Sequence, residues 1–317
     1  MTRILLDTDL GMGEPGSDID DGFAVALAIA EPSISVDLVT VVNGNTDVDN
    51  ATRLTLDLLR RLGHDDVPVA RGAGRPLVRL EPSSPRGAAR ADPPIGGGTT
   101  MHAAAALAQR VIGQPGELTV VAIGPLTNVA LALALEPRMA EAVRQVVVMG
   151  GVYLGHTGVA AMPGEFNFWV DPDAASIVLA SGAPLRLVGL DVTRRVRLSR
   201  DDADRLRRTG GQFATFAADC TDGWIDHLQA TMPADDWDRG SCALHDPLAV
   251  AAVVHPDLLT WRPAHVTIER CSDRTRGVVV TDLLGSLDPP AANCSIAVDV
   301  DVEGFRAYFL DRISALP

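Results

Sequence analysis

The sequence predicts an α/β fold with an open, mainly parallel, Rossmann-like sheet, helices on both faces and a single domain over residues 1–317. Apolar, β-rich runs alternate with helical patterns along most of the chain. Several runs are continuously apolar, such as Val146-Val147-Val148-Met149, as strands covered on both faces require. A hydrophobic fraction of 47% is enough for a large core, and the chain shows no internal repeat and no clear interdomain linker.

Strands and helices are predicted in alternating order. The strands before residue 192 are Arg3–Asp7, Ser35–Asn43, Val67–Arg71, Leu118–Gly124, Gln145–Gly150 and Leu185–Asp191. The helices between them, which end at or before Pro or Gly, are Asp20–Glu31, Val48–Leu62 and Pro172–Ala180. Three helices, three strand-like runs and a last helix follow: Ser199–Gly210, Phe213–Ala230, Ala243–Val254, Ala264–Arg270, Gly277–Asp282, Ile296–Asp301 and Glu303–Ile313. The segment Pro82–Thr100, rich in Gly, Pro, Ser and Arg, predicts a mobile loop.

The composition argues against several classes of function. The 27 basic residues against 41 acidic ones give a net charge of −14, which disfavours a surface that binds nucleic acid or anionic lipid and favours cations as partners. The four cysteines form no C-x-x-C pair, so neither a disulfide scaffold nor a thiolate zinc site is indicated. Free thiols and the lack of any run of 18 apolar residues predict a soluble, cytoplasmic protein with no membrane segment.

Aspartates gather where the first predicted strand ends and the first helix begins. The five between positions 7 and 21 are Asp7, Asp9, Asp18, Asp20 and Asp21. Ligands of open α/β sheets bind beyond the carboxyl ends of the strands, which is where these residues fall. Asp18 alone could be a helix N-cap, but this many carboxylates would repel one another without a cation between them. Several protein oxygens with no His or Cys pattern nearby favour Ca²⁺ over Mg²⁺ or zinc.

Polar motifs also follow later strands. In chain order they are Asn43-Gly44-Asn45, Ile123-Gly124-Pro125-Leu126-Thr127-Asn128, Met149-Gly150-Gly151, Glu165-Phe166-Asn167 and His245-Asp246-Pro247. The Gly-Pro step breaks a strand and frees backbone carbonyls, which are further ligands for a hard metal. The last motif opens an apolar helix, so Asp246 could instead be its N-cap with Pro247 as the first helical residue.

The ordered set of motifs, from Asp7 to about Asp282, resembles the nucleoside hydrolases, the inosine–uridine-preferring N-ribohydrolase family. The resemblance implies calcium-dependent hydrolysis of the N-glycosidic bond of a ribonucleoside, the small-molecule partner. It implies Ca²⁺ ligands at Asp9, Asp21, Asp246 and the Ile123 carbonyl, and ribose contacts from Asp20, Asn45, Met149, Glu165 and Asn167. It also implies a homodimer or homotetramer.

The resemblance assigns the chemistry to two residues. Asp9 would take a proton from the attacking water, while Asp7 would support the site from behind. His245 is the titratable candidate for activating the leaving base. The aromatic residues that could stack on the base are Phe166, Phe168, Trp169 and Trp224, each of which could equally belong to the core.

Three segments depart from the family pattern. The loop Met12–Ser17 is longer than usual, and Arg86–Arg90 stands where a His-Gly pair is common. Val159 occupies a position that often holds an Asn for the 5′ hydroxyl of the sugar, with His156 and Thr157 close by. A modified, 5′-altered riboside therefore stays open as the substrate.

Other functions share parts of these motifs. Gly11–Gly16 matches the G-x-G-x-x-G pattern of a dinucleotide-binding dehydrogenase, but a pyrophosphate there would face the aspartates. An Asp-x-Asp phosphatase would share Asp7 and Asp9, although Leu10 and Gly11 replace the usual small hydroxyl residue. A calcium-dependent nucleoside or sugar binder without turnover would keep every metal-binding and ribose-binding residue.

Overall fold

The computed structural model describes residues 1–79, 98–232, 240–285 and 288–316. Within them the strands are β1 Thr2–Thr8, β2 Ile34–Val41, β3 Val69–Arg71, β4 Gly98–Thr99, β5 Leu118–Ala122, β6 Gln145–Met149, β7 Leu185–Val188, β8 Arg197–Ser199, β9 Ser241–Ala243, β10 Leu259–Ala264, β11 Val266–Ile268, β12 Val279–Thr281 and β13 Cys294–Val300. The helices are α1 Asp20–Ala30, α2 Val48–Arg61, α3 Ala103–Gly113, α4 Thr127–Leu135, α5 Met139–Ala142, α6 Phe166–Val170, α7 Pro172–Leu179, α8 Leu190–Thr193, α9 Arg200–Thr209, α10 Gln212–Thr231, α11 His245–Val254 and α12 Val302–Ser314, with a 3₁₀ turn at Pro256–Leu258.

The main sheet has the strand order β10-β13-β7-β6-β5-β1-β2-β3-β4. All neighbouring pairs in it are parallel except β10 with β13, which are antiparallel. The chain runs from β1 outward through β2 to β4, then returns to the other side of β1 with β5. The topological switch point, where open sheets bind their ligands, is therefore between β1 and β5.

Two hydrophobic cores cover the two faces of the sheet. Side chains alternate along each strand, so Ile4 and Leu6 of β1 enter one core while Leu5 enters the other. The first core packs under α1, α2, α10, α11 and α12, and the second under α3, α4 and α7. The predicted α/β fold with an open, mainly parallel sheet and helices on both faces is confirmed.

The boundaries differ in ways that matter for the site. The second predicted strand ends at Val41 rather than Asn43, and the fourth ends at Ala122, so the polar motifs lie in loops beyond the strands. Ala243 belongs to β9 and not to the helix that follows. Within the predicted runs Ala264–Arg270 and Gly277–Asp282, only β11 and β12 pair, as a separate antiparallel hairpin, whereas Ala264 ends β10 of the main sheet. The unpredicted elements are α3, α4, α5, α6, α8, β4, β8, β9 and β10.

Part of the predicted loop lies outside the described residues. Residues 82–97 of Pro82–Thr100, and with them Arg86–Arg90, fall there, whereas Gly98 and Thr99 form the edge strand β4. No helix in the described ranges is both long and apolar enough to cross a membrane.

Candidate active site

The polar motifs converge beyond the carboxyl ends of the central strands. Asp9 and Ile123 are the first residues after β1 and β5, and Met149 is the last residue of β6. Asp20 and Asp21 open α1, and Asp246 lies in the first turn of α11. Because β1 and β5 flank the switch point and α1 packs closely against α11, residues far apart in sequence meet at one site.

Asp20, Asp21 and Asp246 form the group best suited to hold a metal ion. One carboxylate oxygen from each lies within 4.8 Å of the others, and all three side chains are buried. The backbone N–H of Asp246 donates to Asp20 Oδ2 over 3.1 Å, which ties α11 to the start of α1. The family resemblance implied that Asp21 and Asp246 share a site; that Asp20, the sequence neighbour of Asp21, also lies close to Asp246 is a finding of the structure.

Asp9 lies beside this group in a space that two glycines leave open. A Cβ on Gly44 would lie 1.9 Å from Asp9 Oδ2, and one on Gly124 would lie 2.7 Å from Oδ1. The backbone N–H of Asn45 donates to Oδ2 over 2.7 Å. Any side chain at either glycine would therefore displace the carboxylate, which explains why both loops carry Gly at these positions.

Burial dominates the electrostatics of the carboxylates. It raises the pKa of Asp9, Asp20 and Asp246 well above the usual range, and the negative charge of neighbouring aspartates raises each pKa further. Burial and the charge of Asp20 raise the pKa of Asp21 to about 7. A cation at the site would lower all four pKa values, because it stabilises the charged forms.

Neutral donors orient the carboxylate of Asp21. The Thr8 hydroxyl donates to Oδ1, and Asn45 Nδ2 donates to Oδ2 over 2.7 Å. These contacts join β1, the loop after β2 and α1. Asn45 therefore contacts two acids at once, Asp9 through its backbone and Asp21 through its side chain.

Asp7 lies behind the site. Its buried Oδ1 accepts hydrogen bonds from Thr40 Oγ1 at 2.5 Å and from Asn128 Nδ2 at 2.8 Å. Asn128 also donates to the Val41 carbonyl and accepts from the N–H of Ala73. Burial raises the pKa of Asp7 to about 7. Its contacts hold β1, β2 and α4 together.

Glu165 and Asn167 link the ends of β5 and β6. The Glu165 carboxylate caps α6, accepting from the N–H groups of Asn167 and Phe168, and it also accepts from Gly151 N at 3.0 Å. Asn167 Nδ2 donates to the carbonyls of Ile123 at 2.9 Å and Met149 at 3.2 Å. Burial raises the pKa of Glu165 to about 7 despite these donors. The Ile123 carbonyl thus already has one partner.

His245 is the first residue of α11. Its Nδ1 lies 2.7 Å from Thr193 Oγ1, a contact that orients the ring. Burial, helped by the positive charges of Arg194 and Arg197, lowers the pKa of His245 to about 3. The imidazole is therefore neutral at physiological pH, and it can donate or accept a hydrogen bond without carrying a charge.

The N-cap readings of two aspartates are wrong. Helix α1 starts after Ile19 and α11 after Leu244, and neither of these residues provides a side-chain cap. Asp18 Oδ1 accepts from the N–H of Ile19, while Asp246 lies inside its helix. Neither Asp18 nor Asp246 is therefore the N-cap residue of its helix.

The aromatic candidates differ in position. Phe168 is fully buried beneath Gly150, so it belongs to the core. Phe166 and Trp224 are half-buried. Trp224 stacks on His227, with ring centroids 5.2 Å apart and an interplanar angle of 10°. The long loop Met12–Ser17 packs against this pair, since a Cβ on Gly16 would lie 3.1 Å from His227 Nδ1.

Two supporting residues could be predicted from the sequence only weakly or not at all. Thr193 and Asn128 hold His245 and Asp7 through single side-chain contacts from distant elements. Only the motif Thr127-Asn128 gave a hint of the second. The Gly44 and Gly124 contacts could have been suspected because each glycine adjoins a motif at a strand end.

An open α/β sheet with buried carboxylates beyond its switch point defines an enzyme with a candidate metal centre. The family model "Inosine-uridine preferring nucleoside hydrolase" matches residues 4–307. The chain belongs to this nucleoside hydrolase family, and it is an N-glycosyl hydrolase of ribonucleosides. The dehydrogenase and phosphatase alternatives are therefore wrong.

Individual relatives cover the chain almost end to end. It is 34% identical to the pyrimidine-specific ribonucleoside hydrolase RihA of Citrobacter koseri, over 98% of this chain and 97% of that protein. A purine-preferring ribonucleoside hydrolase from Gardnerella vaginalis superposes with a TM-score of 0.83 at 30% identity, covering 99% of this chain and 98% of that one. A plant nucleoside hydrolase gives a TM-score of 0.84 at 26% identity, covering 99% of each chain.

Proposed function

We propose that this enzyme uses bound Ca²⁺ to hydrolyse the N-glycosidic bond of ribonucleosides, releasing free base and ribose. The observation that carries the proposal is the buried group of Asp20, Asp21 and Asp246 at the switch point of the sheet. Three carboxylates that are buried together strongly favour a divalent cation. Oxygen donors alone match a hard ion, and several protein oxygens match Ca²⁺ better than Mg²⁺.

The residues present fit such an ion. Asp21, Asp246, Asp9 and the Ile123 carbonyl would hold it, with Asp20 adjacent. When bound, the cation would neutralise these acids and supply the positive charge that acidifies water. The hydrogen bonds from Thr8 and Asn45 would keep the Asp21 carboxylate oriented toward it.

Asp9 is the proposed general base. A bound cation would keep the buried Asp9 carboxylate ionised, so that it could accept a proton from water. Asp9 would take a proton from water while the water oxygen bonds to the anomeric carbon with inversion. The electron pair of the broken C–N bond would leave with the base, which then takes up a proton from solvent, and Asp9 would return its own proton to solvent. Asn45 holds Asp9 Oδ2 in place during this step.

Polar groups around the sugar are proposed to stabilise the transition state. Cleavage of the N-glycosidic bond develops positive charge on the ribose, and carboxylates and amide oxygens oppose that charge. Asp20, Asn45, Met149, Glu165 and Asn167 would contact the sugar. Glu165 and Asn167 are the most rigidly held, because both bond to the backbone at the ends of neighbouring strands.

His245 is the proposed partner of the leaving base. Since its ring is neutral at physiological pH, it would act as a hydrogen-bond donor rather than as a charged acid. Phe166 and Trp224 are proposed to stack on the base. The assembly as a homodimer or homotetramer and the cytoplasmic location stay predictions.

The 5′ end of the sugar is proposed to be loosely recognised. Val159 is 40% exposed and offers no polar group there. Thr157 does not replace it, because its hydroxyl donates to the Met162 carbonyl at 2.9 Å and accepts from the N–H of Val159 at 3.2 Å. A 5′-substituted riboside would then be accepted as readily as a plain nucleoside.

A riboside panel tests the proposal. We expect calcium-loaded enzyme to release free base from one or more ribonucleosides, and the 5′-deoxy analogue to match the parent in kcat/KM within about threefold, since no buried polar group is left unmet. The 2′-deoxy analogue should lose at least about 100-fold, as a missing catalytic contact would. Liquid chromatography of the released base measures both ratios. Tight riboside binding without base release would establish the non-catalytic binder instead, and full activity after metal removal would refute the calcium requirement.

A further inference from the structure

Helix α6 carries the ribose-side residues but is too short to hold itself in place. It comprises five residues, Phe166–Val170, far fewer than an isolated helix needs in water. Glu165 caps its start and Asn167 lies in its first turn. The position of both side chains therefore depends on the contacts that other parts of the fold make with residues 164–170.

Arg276, in the turn between β11 and β12, contacts this segment at both ends. At the start, its backbone carbonyl accepts from the N–H of Gly164 at 3.1 Å. At the end, its Nε donates to the Trp169 carbonyl at 2.6 Å and its Nη2 to the Val170 carbonyl at 2.8 Å. The residue is 1% exposed, so these bonds form away from bulk water.

At Gly277 the backbone of the same turn packs directly against the backbone of residues 164–170. A Cβ on Gly277 would lie 2.7 Å from both the N and Cα atoms of Trp169, and its φ is +74°. From the other side, a Cβ on Gly164 would lie 2.5 Å from the carbonyl C and O of Gly277. The two chains are packed so closely that neither glycine can carry a side chain without moving one of them.

We propose that Arg276 and Gly277 are positioning residues that clamp residues 164–170 and so set where Glu165 and Asn167 lie. The proposal rests on the proposed function, in which those two residues contact the ribose. Arg276 bonds the carbonyls at the end of α6, where a cation is favourable, and its planar fork reaches two carbonyls at once. The clamp lies on the hairpin, whereas the acids of the metal site lie on other elements.

A matched pair of glycine variants separates the effect of displacing residues 164–170 from the effect of backbone strain. Gly277→Ala and Gly210→Ala both place alanine at a positive φ, +74° and +79°, but nothing lies within 4 Å of a Cβ at position 210. We expect Gly277→Ala to lower kcat/KM by about 10- to 100-fold, the effect of a shift near 1 Å in a reacting site. Gly210→Ala should stay within about twofold, as a surface change does.

Calorimetry of Ca²⁺ binding without substrate is the control for damage to the whole protein, because such damage would also lower the affinity for Ca²⁺. Both glycine variants should bind Ca²⁺ like the parent, because none of the metal-site acids lies on the hairpin. The Ile123 carbonyl accepts from Asn167, but the backbone at Ile123 is held independently, since its N–H donates to the Asp7 carbonyl at 2.8 Å. Equal activity of folded Gly277→Ala and Gly210→Ala would overturn the clamp, and so would a loss of Ca²⁺ affinity that parallels the loss of activity in Gly277→Ala.

Arg276→Lys keeps the charge but loses the fork, and it tests the proposal even if Gly277→Ala does not fold. We expect kcat/KM to fall by about tenfold or more, with KM raised and kcat lowered. In an Asn167→Ala background the same change should have little further effect, since Arg276 acts through that segment. Wild-type kcat/KM in Arg276→Lys, or full additivity with Asn167→Ala, would overturn the clamp. If Asn167→Ala itself has wild-type activity, the proposed ribose contact is wrong.

Discussion

The two ends of helix α1 place buried carboxylates in opposite electrostatic states. At its start, burial raises the pKa of Asp21 to about 7, and the hydrogen bonds to its oxygens come from neutral donors, Thr8 and Asn45. At its end, Glu31 is also buried, at 4% exposure, yet its pKa is lowered to about 2. Burial by itself would raise that value; the donors around Glu31 outweigh it.

The donors at Glu31 explain the difference. Arg312 Nε donates at 2.8 Å, Ser33 Oγ at 2.6 Å and Tyr308 Oη at 3.0 Å. A carboxylate that serves the fold is thus supplied with a cation from the chain itself. The carboxylates at the other end of the helix are packed among other acids, an arrangement that stabilises the fold only when an ion arrives. Two buried acids on one helix can therefore be told apart by whether their charge is compensated from within.

The removal of Asp9, which lies beside the acids at the start of α1, should have the largest effect on activity. We expect Asp9→Ala to lower kcat by about 10²- to 10⁴-fold, the contribution of a positioned general base, while the protein stays folded. Circular dichroism and thermal unfolding check the fold, and base release checks turnover. Since one buried acid is lost from a repelling cluster, the melting temperature in chelator should not fall. Wild-type kcat at saturating substrate would refute the assignment of Asp9.

Calcium should change the stability in a pH-dependent way. In chelator, the raised pKa of Asp21 means that the folded state binds more protons than the unfolded state between about pH 4 and pH 7. Stability should therefore fall as pH rises through that window. Added Ca²⁺ should reverse the loss, with a gain in unfolding free energy of about 2.7 kcal/mol at pH 7.5 when its concentration is 100 times the Kd at that pH. The same Ca²⁺ concentration should give a smaller gain at pH 5, where protons compete for the carboxylates.

Thermal melts with and without Ca²⁺ at the two pH values measure this effect. Mg²⁺ at the same concentration is the matched control for ionic strength, and it should stabilise the protein less. A Ca²⁺ effect that is the same at pH 5 and pH 7.5 would show that the cation is not bound by these carboxylates.

At the other end of α1, Glu31→Gln should reduce stability and leave activity nearly unchanged. The lowered pKa of Glu31 contributes stability that is fully present above about pH 4.5 and is lost as pH falls toward about 2. We expect a loss of about 1–3 kcal/mol in unfolding free energy at pH 7, because Arg312, Ser33 and Tyr308 lose a charged acceptor. Urea titrations at pH 7 and pH 3 should show the gap between variant and parent narrowing in acid.

The activity of Glu31→Gln should contrast with that of Asp9→Ala. Glu31→Gln should keep kcat/KM within about twofold, as substitutions away from a site do. Equal stability of the variant and the parent at pH 7 would show that Arg312 does not compensate the buried charge.

The long apolar and amphipathic runs were readable because their periodicity is a local property. Strands such as Gln145–Met149 and helices such as Val48–Arg61 emerged close to their predicted bounds. Helices α4 and α6 did not, because they are nearly apolar all round or only five residues long. Strand β10 was not predicted either, since it is an edge strand defined by its antiparallel pairing with β13.

The sequence by itself determined which acids, amides and glycines stand at the strand ends, because chain order places a motif after each buried run. Only the tertiary structure decided that Asp20 meets Asp246, that Arg276 holds α6, and that Glu31 meets Arg312. These partners are separated by long stretches of chain, and their contacts depend on how helices pack on the sheet. Periodicity specifies which face of an element is buried, but the partner across that face is set by packing.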